Sequence, residues 1–185
     1  MVSLIPYPSE DEKNLRSRLG EDTYFFLGSD LRSLLIDALK LISISKNPEP
    51  SSIVINNYAL LLVPLSCVLE GFLFKIAEVL KLEYAEKNTI GQVFALDVNK
   101  KIITDNKLTK PAQEQFDTLV SFIGTYRNQP IHNVAKLKSI SLGQLTGKME
   151  SMLEKVQTLV ETLIQAGVID LKKGRLPIGI REWDE

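Results

Sequence analysis

The chain has 185 residues, enough for one sizeable hydrophobic core and short of what two domains usually need. Hydrophobic residues make up 44% and charged residues 24%, with a net charge of -1, which excludes disorder for most of the chain and excludes a strongly basic nucleic-acid coat. One cysteine and one histidine exclude an internal disulfide and an ordinary Cys/His zinc site. The charge is uneven: residues 1–98 carry net -4 and residues 99–185 net +3, so an anionic partner should meet the second half. Residues 1–6 lack the basic start and apolar run of a secretory signal, and the free cysteine suits a reducing compartment, so a cytoplasmic location is expected.

Ser9, with Glu12 three residues on, has the pattern of a capping box and predicts a short helix over residues 10–19 that stops at Gly20. Residues 1–28 are expected to form an N-terminal extension around it. Ser29 or Asp30 then caps an amphipathic helix whose stripe is Leu31, Leu34, Leu35, Ala38, Leu39, Leu41 and Ile42. Asn47-Pro48-Glu49-Pro50 ends it. The longest helix is expected over residues 52–86. Its first half is apolar nearly all round, which predicts a buried central helix rather than a membrane span, since Asn56, Asn57, Pro64 and Ser66 interrupt the run. Pro64 cannot bond the Leu60 carbonyl and should bend it.

Residues 87–109 read as a connection with one short helix over residues 90–96, and Asp97 to Lys101 as exposed turn. Thr109 and Pro111 open the next helix, which runs to about residue 128, where Pro130 interrupts it. A last long helix over residues 142–166 has a stripe from Leu145 to Ile164 and stops at Gly167. Residues 171–185 read as a tail. Several long amphipathic helices around one apolar helix predict an all-α bundle over residues 29–170.

The segment from Thr125 to Asn133 holds the lone histidine, five positions after Arg127. On an unbroken α-helix those positions lie about 140° apart. Pro130 removes a backbone donor and disfavours further helix, so a break there would let Arg127 and His132 converge. Together they suit phosphate chemistry. A guanidinium grips two phosphoryl oxygens in its fixed fork, and an imidazole moves protons near neutral pH. With RNA the nucleophile is the substrate's own 2′-hydroxyl, so neither metal nor cofactor is called for.

The run Arg127-Asn128-Gln129-Pro130-Ile131-His132 resembles the Arg-polar-x-x-x-His signature of the HEPN superfamily, compact helical domains many of which are metal-independent ribonucleases. The phrase Leu69-Glu70-Gly71-Phe72-Leu73 is similar to the RNase LS type of toxin, in which an acidic residue lies near the site. The resemblance spans residues 30–166 in architecture and these two patches in motif. It implies a HEPN-like helical bundle, a cytoplasmic homodimer whose two motifs line one cleft, and an endoribonuclease of toxin–antitoxin or phage-defence type with RNA as substrate and an antitoxin protein as a further partner. Arg127 and His132 would be catalytic.

Other residues have two readings each. Asn128 would fix the arginine or the turn. Glu70 either steers Arg127 or His132 or is the first solvated residue after the apolar run. Tyr126 either touches substrate or packs in the core. Asn133 either orients the imidazole or caps the next segment. Lys136 and Lys138 either follow the RNA backbone or form a solvated face. The alternative for the whole chain is a non-catalytic helical module that binds a nucleotide, RNA or a protein through the same cleft.

Overall fold

The computed structural model describes residues 9–46, 58–85, 88–105, 110–128 and 139–170. The fold is all-α, with seven α-helices and no strand among the described residues. In chain order they are α1 (Glu10–Leu19), α2 (Glu21–Lys46), a 3₁₀ turn (Tyr58–Leu61), α3 (Leu62–Val79), α4 (Ile90–Ala95), α5 (Asp97–Asp105), α6 (Lys110–Ile123), a single π-helical turn (Gly124–Asn128) and α7 (Leu142–Gln165).

The predicted capping box starts α1: the Ser9 hydroxyl accepts from the Glu12 amide while the Glu12 carboxylate accepts from the Ser9 amide. Residues 9–28 do not stand apart as an extension. Leu15, Leu19, Tyr24, Phe26 and Leu27 are buried in the same hydrophobic core as the later helices. The backbone of α2 breaks at Gly28, which adopts φ 73. The carbonyl of Leu27 beside that break is taken up by Lys75 of α3, whose Nζ donates to it over 2.7 Å. The buried stripe of α2 is narrower than its pattern implies: Leu35, Ala38 and Ile42 are in the core, whereas Leu34 and Leu41 are exposed.

Helix α3 is the buried centre, and α2, α4, α6, the π turn and α7 all pack on it. Leu62, Leu65, Val68, Leu69, Phe72, Leu73 and Ile76 are buried along it. Tyr58–Val79 is also apolar enough to cross a bilayer by length and composition, with mean hydropathy 2.0, and half of its most apolar stretch is buried inside the fold. Two expectations about this helix are corrected. Pro64 does not bend a long helix; it sits in the first turn of α3, where its missing donor would have lacked a partner anyway. Nor does α3 reach residue 86. Lys81 takes a left-handed conformation at φ 54, the Leu82 amide donates back to the Ala77 carbonyl and the Lys81 amide to Glu78, so the chain turns off there.

The expected turn at Asp97–Lys101 is also corrected: it is the start of α5. Asn99 is fully buried and bonds backbone on two other segments. Its Oδ1 accepts from the Glu83 amide, and its Nδ2 donates to the carbonyls of Glu83 and Val93. α7 starts on a second capping box, Ser141 with Gln144. The Arg18 guanidinium of α1 pairs with Glu150 of α7, joining the first and last described helices.

Candidate functional site

Helix α6 does not end as an α-helix. From Gly124 to Asn128 the backbone widens into one π turn, a feature that is rare and recurs at functional sites. Pro130, two residues on in the sequence, has no amide to give the carbonyl of Tyr126. The turn carries Tyr126, Arg127 and Asn128, three of the residues singled out in the sequence.

Tyr126 and Arg127 point to different neighbours. Arg127 reaches α3, where its Nη1 donates to Glu70 Oε1 over 2.6 Å. The side chains are 31% and 16% exposed, so the pair is partly shielded from water. Burial pushes the Glu70 carboxyl above its ordinary value, and the charge of Arg127 pulls it back. Glu70 is thus partly buried and in contact with Arg127. The glutamate is held where Gly71 brings α2 against α3: a Cβ at Gly71 would lie 2.6 Å from Leu31 Cδ2.

Tyr126 is buried, with its ring 4.7 Å from that of Phe122. Its other neighbour is a residue that the sequence reading passed over. Lys148 of α7 sets its Nζ 5.5 Å from the centre of the Tyr126 ring. The only hint in the sequence is its place beside the buried stripe of α7, between Leu145 and Met149. Asn128 is half-buried at the end of the turn. His132, Asn133, Lys136 and Lys138 lie outside the described residues.

The assembled part of the site is thus a carboxylate–guanidinium pair from α3 and the π turn, flanked by an ammonium over an aromatic ring from α7. Among the described residues, no three His, Cys, Asp or Glu side chains gather as metal ligands. A shallow groove of about 270 Å³ lies elsewhere, between α1 and α2, lined by Asp11, Arg18, Leu39 and Lys40 among others. No protein-family model, curated protein or solved structure matches the chain.

Proposed function

We propose that the protein is a metal-independent endoribonuclease of HEPN type, working as a cytoplasmic homodimer in a toxin–antitoxin or phage-defence role. One observation carries the reading. The two sequence patches that resemble the family, 57 residues apart, meet in the Arg127–Glu70 contact.

In this reading Arg127 binds the scissile phosphate with its remaining donors while Glu70 holds the guanidinium plane in place. His132 takes the proton of the 2′-hydroxyl or returns one to the leaving oxygen. The 2′-oxygen forms a bond to phosphorus as the bond to the 5′-oxygen breaks. The proton from the 2′-oxygen goes to the base, and the 5′-oxygen receives one. The products are a 2′,3′-cyclic phosphate and a 5′-hydroxyl. Negative charge grows on the phosphoryl oxygens, which Arg127 would stabilise. A two-fold pair of chains would supply two arginines and two histidines to one cleft, allowing one imidazole to act as base and the other as acid.

The test is cleavage of single-stranded RNA by the purified protein. Replacing the ribose at the cut site with 2′-deoxyribose should abolish cleavage while leaving much of the binding, and EDTA should leave the rate unchanged. A deoxy substrate cut at a comparable rate would refute the mechanism. RNA bound but never cut would favour the non-catalytic binding module.

A further inference from the structure

We infer that Lys148 is the contact for a second phosphate, next to the one Arg127 would hold, so that the site takes an RNA strand rather than a single nucleotide. This rests on the ribonuclease reading above and deepens it.

The described cations of this fold are mostly engaged. Arg16 pairs with Glu21, Arg18 with Glu150, Lys40 with Asp11, Lys100 with Asp97 and Arg127 with Glu70, while Lys75 donates to a carbonyl. Lys148, like Lys81, Lys101 and Lys155, has no carboxylate partner among the described residues, and of these four it is the one whose ammonium lies over an aromatic ring, that of Tyr126. Its own helix supplies none: the positions three and four away are Gln144, Leu145, Ser151 and Met152. An aromatic face orients an ammonium without neutralising it. Arg127 is paired with Glu70, so of the two described cations that meet at Tyr126 and Arg127, Lys148 is the one without a carboxylate.

Placement then sets the kind of ligand. Tyr126 and Arg127 are consecutive on the π turn, and their side chains meet α7 and α3 respectively. One cation is thus carried on the turn and the other lies over its neighbouring residue, so a strand that passes the turn can meet both. A Cβ built at Gly124 or at Gly147 would meet no heavy atom within 4 Å, so packing requires neither glycine, although glycine is unfavourable within a helix.

The experiment measures binding of a fluorescein-labelled, fully 2′-O-methylated single-stranded RNA, which cannot be cut, over a range of salt. Lys148→Met keeps the apolar stem over Tyr126 and removes the charge. It should weaken binding and reduce the slope of log affinity against log salt by about 0.7, the loss of one phosphate contact on a single strand. Lys148→Arg should keep the slope, and Lys155→Met, elsewhere on α7, should leave it unchanged. With cleavable RNA, Lys148→Met should raise KM and spare kcat, whereas Arg127→Ala should lower kcat. A wild-type slope in a folded Lys148→Met protein, or an equal loss in Lys155→Met, overturns the inference. If Lys148→Met fails to fold, Lys148→Gln takes its place on the same criteria. If Lys148→Met behaves as wild type while Arg127→Ala abolishes cleavage, this inference fails and the ribonuclease reading stands. If the wild-type protein neither binds nor cuts RNA, both fail.

Discussion

Arg127 and Glu70 form the contact on which the functional reading turns, and each can be perturbed separately. Arg127→Lys would keep the charge but lose the fork, since an ammonium cannot hold a carboxylate and a phosphate in one plane. Cleavage should fall steeply while the thermal midpoint moves little. His132→Ala should lower cleavage by about 10²–10⁴-fold if the imidazole transfers a proton in the rate-limiting step. Glu70 also makes a prediction about pH. In the folded chain it holds its proton to higher pH than an ordinary carboxyl, because burial outweighs the attraction of Arg127. Just above the ordinary carboxylate value the folded state thus binds more protons than the unfolded one. The stability from this group is complete below that value and declines as pH rises through the window above it. Urea midpoints of wild type and Glu70→Gln, compared from about pH 4 to about pH 7, should therefore shift in favour of the glutamine protein as pH rises. An opposite trend would mean that Arg127 dominates over burial.

Two helical glycines should respond to alanine in opposite ways. A Cβ at Gly71 would lie 2.6 Å from Leu31 Cδ2, so the end of that leucine would have to shift against its neighbours. Gly71→Ala should destabilise the fold by about 1–3 kcal/mol, as overpacked cores do. Gly147 has open space, so Gly147→Ala should stabilise by about 0.5–1 kcal/mol. Thermal denaturation of the two variants gives the contrast directly. Asn99→Ala should cost about 3 kcal/mol, because it strips buried partners from the backbone of Glu83 and Val93. These elements also mark where the sequence was legible. Helix α1 announces itself through Ser9 and Glu12, and α7 through its long stripe, because both signals are local. Helix α5 does not. Asp97 and Asn99 are turn formers by propensity, and the backbone of Glu83 and Val93 makes a helix with a buried asparagine favourable. The end of α3 is equally hidden, since Lys81 adopts the left-handed cap without the glycine that usually signals one.

At the scale of the whole molecule, an all-α architecture follows from hydrophobic periodicity, and the polar interruptions at Asn56, Asn57 and Ser66 favour the centre of the bundle over a bilayer for its most apolar helix. The site is less legible. Spacing picks out Arg127 and its neighbours, yet the partnership of Arg127 with Glu70 and of Tyr126 with Lys148 depends on how α3, α6 and α7 pack. If the proposed two-fold pairing is right, light scattering at micromolar concentration should report twice the mass of one 20.8 kDa chain. Helix α3 has a further consequence. Within six residues it holds Arg127 through Glu70, touches Leu31 at Gly71 and closes the break of α2 through Lys75. A slip by one residue would carry these groups about 1.5 Å along the axis, more than hydrogen bonds of 2.6 and 2.7 Å can follow. Sliding of the central helix is therefore not an available motion, and the site has to open by side-chain rotation on a fixed post. Phosphate arriving at the remaining donors of Arg127, with Glu70 still in place, should accordingly leave the amides of α3 protected throughout.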